Sequence, residues 1–187
     1  MHLTTSSHLP DPEQLLLKLA EKLAPTITAN TALVGIHSGG VWLMERLLPL
    51  LSTKYAVEHG SLDIAFYRDD FAHRGLRAEN KPSHISFDVE DKQIILIDDI
   101  FYTGRTTRAA MNELFDYGRP ASISLAVLIN RGGRELPITP QFVGAELPLQ
   151  AHQNLQLSRD EHGKFALALL ENQAAEKPPT DKIAENL

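Results

Sequence analysis

Two adjacent acids, Asp98 and Asp99, end an apolar run of Ile94, Ile95, Leu96 and Ile97 and precede Thr103, Gly104, Arg105, Thr106 and Thr107. The apolar run reads as a buried strand that delivers the acids to the edge of a sheet. The Thr-rich stretch reads as the turn into the next helix. In a parallel α/β sheet, ligands bind beyond the carboxyl ends of the strands, where such turns lie. Gly104 lets the backbone approach a ligand closely, the threonine hydroxyls donate hydrogen bonds, and a helix N-terminus offers unpaired N–H groups and a favourable dipole. Arg105 adds positive charge. The segment is therefore a predicted phosphate cradle, with the carboxylates reserved for a ligand that also carries hydroxyl groups or a cation.

The elements that position these residues follow from periodicity. Asp11, Pro12 and Gln14 open a helix whose Leu15, Leu16, Leu19, Ala20 and Leu23 form one apolar stripe. Residues 32–36 read as a buried strand, residues 37–40 as a loop of His37, Ser38, Gly39 and Gly40, and residues 41–51 as an apolar helix. Further strands are expected at 62–67 and 93–97. The polar stretch 68–92 between them is too long for an ordinary connection and reads as a lid, with a small strand at 84–89 as the ordered alternative for part of it. Beyond Thr107, the pattern Ala110, Met111, Leu114 and Phe115 marks an amphipathic helix ended by Gly118 and Pro120. A fourth strand is expected at 122–129. Strands alternating with helices imply a parallel sheet covered on both faces, hence an α/β fold. Short strand-like runs stand at 142–144 and 165–170. Residues 1–170 read as one domain and the polar residues 171–187 as a frayed tail.

Composition narrows the function. The 187 residues are 43% hydrophobic, enough for one core. A formal net charge of −6 argues against a protein built chiefly to coat a phosphate backbone. There is no cysteine, and the eight histidines show no zinc-type spacing, so no resident metal site is expected. No apolar run approaches the roughly 20 residues of a membrane helix, and a soluble cytoplasmic protein is the expectation. Neither a Walker-type P-loop nor Gly-x-Gly-x-x-Gly is present.

The ligand 5-phosphoribosyl-1-pyrophosphate (PRPP) satisfies both halves of the motif. Its ribose hydroxyls can donate to Asp98 and Asp99, its 5-phosphate can occupy the Thr-rich turn, and the Mg2+ it carries can bridge ribose and pyrophosphate oxygens. The order of strand, paired acids and Thr-Gly-Arg-Thr-Thr resembles the PRPP-binding signature of type I phosphoribosyltransferases. Residues 62–71, 118–120 and 125–138, including Asn130, Arg131, Gly132, Gly133, Arg134 and Glu135, resemble one branch: the PyrR family of pyrimidine operon regulators and uracil phosphoribosyltransferases. That resemblance implies a twisted parallel sheet with a small hood and a mobile lid, and a homodimer or larger assembly. It also implies synthesis of UMP from uracil and PRPP. Some members bind pyrimidine-operon leader RNA in response to UMP or UTP, so a nucleotide-sensing RNA-binding regulator with little catalysis is the alternative.

Carried over residue by residue, the resemblance implies PRPP contacts from Asp98, Asp99 and Tyr102, together with Thr103, Gly104, Arg105, Thr106 and Thr107. It implies a pyrophosphate loop at His37, Ser38, Gly39 and Gly40, stabilisation of departing pyrophosphate by Arg68, and a place near the base pocket for Arg131. Three departures stand out. The better-known members carry Lys and Arg in the pyrophosphate loop, leaving Arg68, Arg74, Arg77 or Lys81 to compensate. The purine-salvage relatives carry an Asp at the position of Tyr102, and a tyrosine with an ordinary side-chain pKa of about 10 does not take up a base proton at neutral pH, so its ring is expected to pack against sugar or base. Gly133 replaces a histidine of RNA-binding relatives, leaving Lys18, Lys22, Arg119, Arg131 and Arg134 as the candidate RNA-facing patch.

Overall fold

Along three neighbouring strands, alternate residues are buried on opposite faces of one sheet. Ala32, Val34, Ile94, Leu96, Leu125 and Val127 belong to one core cluster, and Leu33, Ile95, Ile97, Ala126 and Leu128 to the other. This is the period-two pattern of strands buried on both sides. The computed structural model describes residues 3–4, 9–64 and 82–171. Its elements run β1 (Leu3–Thr4), α1 (Pro12–Leu23), β2 (Thr31–Ile36), α2 (Gly39–Leu51), β3 (Glu58–Leu62) and β4 (His84–Ile85). They continue with β5 (Gln93–Phe101), α3 (Arg105–Asp116), β6 (Ser122–Asn130), β7 (Phe142–Glu146), β8 (Gln153–Arg159) and β9 (Phe165–Glu171).

The main sheet has the order β4-β3-β2-β5-β6-β7, and its pairings are parallel except that of β4 with β3. The chain moves outward from β2 in one direction to β3 and in the other through β5 to β7. Right-handed crossovers in opposite directions place their helices on opposite faces. Accordingly, Leu43, Met44 and Leu47 of α2 join α1 in one cluster, while Ala109, Ala110 and Leu114 of α3 fill the other. The direction reverses between β2 and β5, which makes the crevice beyond their carboxyl ends the favoured ligand position. A second sheet, β1-β9-β8, is antiparallel and forms the small hood.

Several sequence expectations shift. The strand expected at 62–67 is β3, which ends at Leu62; residues 65–67 lie outside the described residues, and buried Leu62 and Ile64 are what the apolar signal detected. Strand β5 runs four residues past Ile97, so the acid pair is part of the strand. Phe115 lies off the buried stripe of Thr107, Ala110 and Leu114 and is 54% exposed. Residues 68–81 of the expected lid lie outside the described residues. From 82 to 92 the chain is built into the domain: His84 and Ile85 pair with Ser61 and Gly60, and Val89 is fully buried. Strand β9 includes Glu171, and 172–187 lie outside the described residues. No helix among the described residues is long and apolar enough to cross a membrane.

Asp11 caps α1 by accepting the Glu13 N–H at 3.0 Å. Glu13 in turn clamps the hood. Its carboxylate pairs with Arg46 of α2 at 2.7 Å and accepts the Phe165 N–H of β9 at 2.9 Å. The Arg46 guanidinium holds the Glu13 carboxyl below its ordinary value. With the folded-state value below the unfolded one, the stabilisation is complete above the unfolded value and disappears as pH falls through the folded one. Glu13→Gln is expected to cost about 1 kcal/mol at neutral pH. Urea denaturation should show that difference shrinking toward about pH 3, where an ordinary carboxylate is protonated.

Candidate active site

Two helices begin in the crevice between β2 and β5, and the N-cap residue of each makes no capping side-chain bond. Ser38 stands at the N-cap of α2 and Gly104, with φ of +93°, at that of α3; neither position makes a capping side-chain hydrogen bond. The Arg105 N–H that opens α3 donates to Thr103 Oγ1 at 3.2 Å, and the positive ends of the two helix dipoles face one region, an arrangement suited to two anionic groups. The His37–Ser38 peptide that leads into α2 is cis.

The acid pair stands between them. Asp98 is 3% exposed and lines a recess of about 30 Å³ with Ile100, Phe101, Tyr102, Thr103, Gly104, Thr106 and Thr107. The Asp99 N–H donates to Asp98 Oδ1 at 3.0 Å. Asp99 instead abuts the start of α2: a Cβ placed on Gly39 would lie 2.4 Å from its Cγ. One acid thus faces the α3 turn and the other the α2 turn. Among the described residues, no three His, Asp or Glu side chains converge as a metal-binding group. The hard carboxylate oxygens suit a cation such as Mg2+ that arrives on the ligand.

Most of the sequence-predicted residues meet here. Asp98, Tyr102, Thr103, Gly104, Thr106 and Thr107 line the recess, and Asp99 abuts the neighbouring turn of His37, Ser38, Gly39 and Gly40. Arg105 is directed elsewhere. Its Nε and Nη2 donate to Glu135 at 3.1 and 2.7 Å, so a carboxylate offsets the charge expected to serve the cradle. Arg68, Arg74, Arg77 and Lys81 lie outside the described residues.

Arg131 directly follows β6, but its guanidinium is buried in protein. It sits 4.0 Å from the centroid of the Tyr102 ring and donates to Asn154 Oδ1 at 3.0 Å and to the Gln153 carbonyl at 2.6 Å. Burial pulls its proton affinity below the ordinary guanidinium value, with nearby Tyr102 acting in the opposite sense. The Tyr102 ring expected to face sugar or base is packed against Arg131 and Gly133.

Sequence reasoning missed the brace beneath the cradle. The Glu135 and Leu136 N–H groups donate to the Thr103 carbonyl at 3.0 and 3.1 Å, and a Cβ on Gly104 would lie 3.4 Å from Leu136 Cβ. Residues 131–141 have no regular structure, and their contacts with the 103–105 turn come from about 30 positions away. No local spacing announces them.

The fold and this crevice define the chain as a phosphoribosyltransferase: residues 10–160 match the phosphoribosyl transferase domain family. The solved hypoxanthine-guanine phosphoribosyltransferase of Bacillus anthracis shares the fold with a TM-score of 0.61 at 18% identity, over 79% of this chain and 86% of that one. Within the class, the bifunctional protein PyrR of Nitrosococcus oceani is 45% identical over 153 residues, 82% of this chain and 86% of its own. That of Pseudomonas fluorescens is 44% identical over 154 residues, 80% of this chain and 90% of its own. The chain belongs to the PyrR family.

Proposed function

We propose that this chain transfers the 5-phosphoribosyl group of Mg-PRPP to N1 of uracil, giving UMP and pyrophosphate. The reading rests above all on the acid pair standing between two helix N-termini at the sheet's switch point. A ligand with a phosphate at one end, a pyrophosphate at the other and a dihydroxylated ring between them matches that order. The α3 turn, from Thr103 to Thr107, takes the 5-phosphate. The α2 turn, from His37 to Gly40, takes the pyrophosphate, with Mg2+ entering as part of the substrate.

As the bond from C1 of the ribose to pyrophosphate breaks, the sugar gains positive charge. Asp98 and Asp99 accept hydrogen bonds from the ribose hydroxyls and oppose that charge in a site where fixed carboxylates need no reorganisation. The two helix ends hold the leaving and the stationary phosphate groups apart, and uracil N1 closes the new bond as its proton passes to the departing pyrophosphate or to water. Arg68 remains the residue proposed to stabilise pyrophosphate as it leaves. One compact unit carries the whole reaction, in an assembly of two or more copies.

Incubating the purified protein with uracil, PRPP and Mg2+ should yield UMP, resolved by anion-exchange chromatography. No nucleotide from any common base would sink the catalytic reading. The second reading, nucleotide-responsive binding to a pyrimidine-operon leader RNA, is favoured by the extent of similarity to proteins described as bifunctional. The candidate basic patch supports it less. Arg131 is buried, Lys22 Nζ donates to the Val143 carbonyl at 2.6 Å, and Arg134 is hydrogen-bonded to Thr139. UMP-enhanced, salt-sensitive RNA binding is the expected signature, and flat titrations at low salt would reject it.

A further inference from the structure

Arg131 is the only buried cation among the described residues, at 4% exposure. Burying a charge is costly unless its surroundings are built to hold it. Here they are built from three directions. Its backbone N–H donates to the Phe101 carbonyl at 3.0 Å, at the end of β5, and its own carbonyl accepts the Leu149 N–H at 3.0 Å. Its guanidinium reaches Asn154 and the Gln153 carbonyl at the start of β8, in the hood. Its flat face covers the Tyr102 ring at 4.0 Å, and its Nε has no hydrogen-bond partner. A substrate-facing arginine would keep donors exposed toward the crevice; this one directs them into the hood.

Tyr102 is held from a second side as well. Gly133 has a φ of +78°, and a Cβ there would lie 2.4 Å from Tyr102 Cε2, so only glycine lets the loop close on that edge of the ring. The residue after Tyr102 is Thr103, whose carbonyl is braced by Glu135 and Leu136. Fixing the ring therefore fixes the first residues of the phosphate cradle.

We infer that Arg131 is a positioning residue that locks the Tyr102 ring, and with it the 102–104 turn of the cradle, to the hood, without touching the base. The inference rests on the phosphoribosyl-transfer reading for its kinetic consequences. Its structural content, the packing of the guanidinium on the Tyr102 ring, stands independently.

The test joins a spectroscopic and a kinetic readout. Protein labelled with 3-fluorotyrosine contains four such residues, and Tyr102→Phe identifies the resonance of position 102. Arg131→Met should shift or broaden that resonance. It should also raise KM for PRPP about thirtyfold, the scale of a desolvated cation–π contact, and leave KM for uracil within about twofold. In a Tyr102→Leu background the same substitution should add less than about twofold, because a residue acting through another loses its effect when that partner is gone. If Arg131→Met fails to fold, Arg131→Lys carries the same cycle, since it keeps the charge and loses the planar fork. An unmoved fluorine resonance, or an equal rise in uracil KM in both backgrounds, would overturn the inference. If the unsubstituted protein makes no nucleotide from any base, the proposed function falls, and the fluorine spectrum alone decides this inference.

Discussion

Replacing Asp98 or Asp99 with asparagine is expected to lower kcat/KM for PRPP by about a hundredfold each, the scale on which loss of one preorganised electrostatic contact acts. Asparagine keeps the shape and removes the charge, which is what the proposed role requires of the acids. The two variants should differ in their side effects. Asp98 is buried in the cradle and its Oδ1 accepts the Asp99 N–H; the asparagine oxygen can still accept that bond, so the fold should survive. Asp99 abuts the α2 turn through Gly39, so its loss should fall more heavily on pyrophosphate, read as a weaker effect of added pyrophosphate as product inhibitor. Initial rates at varied PRPP, with melting temperatures measured in parallel, check both expectations. Kinetics unchanged in either variant would remove that residue from the site.

The acid pair and the Thr-rich turn were legible in the sequence because they are local. One strand, one turn and one helix start hold the whole segment. The α2 loop was legible for the same reason. What lay outside the reach of pattern was anything set by a partner distant in the chain. Strand β3 begins with Glu58, His59, Gly60 and Ser61, polar enough to hide it, because it lies next to the sheet edge with only two-residue β4 beyond it. Strand β8 presents only Leu155 and Leu157 to the core and reads as turn without its partner β9. The pairings of Arg105 with Glu135 and of Arg131 with Tyr102 each join positions about 30 residues apart. From the sequence, Arg105 is expected to add charge to the phosphate turn and Arg131 to stand near the base pocket. The fold directs one to a carboxylate and buries the other against a ring, a difference that only topology sets.

The paired glycines of the α2 turn should give two different failures from the same added methyl group. A Cβ at Gly40 would lie 2.1 Å from the Ile97 carbonyl oxygen and 3.1 Å from the Asp98 Cα. These are backbone atoms of β5, the central strand of the main sheet, and they cannot withdraw without breaking its pairing with β2 and β6. Gly40→Ala is therefore expected to destabilise the protein by about 3 kcal/mol or more, in the range of strong overpacking, seen as a lower urea midpoint and little soluble protein. At Gly39 the obstruction is the Asp99 side chain, with Cγ at 2.4 Å and Oδ2 at 2.5 Å. The Asp99 Cγ and Oδ2 can rotate away while its Cβ, at 2.8 Å, moves only with β5, so Gly39→Ala should fold with a midpoint lowered by less than that of Gly40→Ala, and lose activity by about the same hundredfold as Asp99→Asn. Combining Gly39→Ala with Asp99→Asn should then add little, because both act on one carboxylate. Trp42, the only tryptophan of the chain, lies in the first turn of α2, where its N–H donates to the Ser38 carbonyl at 3.2 Å. Its fluorescence reports directly whether this turn is intact in each variant. A Gly39→Ala protein that keeps full activity would show that Asp99 need not stand where the α2 turn holds it, and the division of the acid pair between the two helices would have to be abandoned.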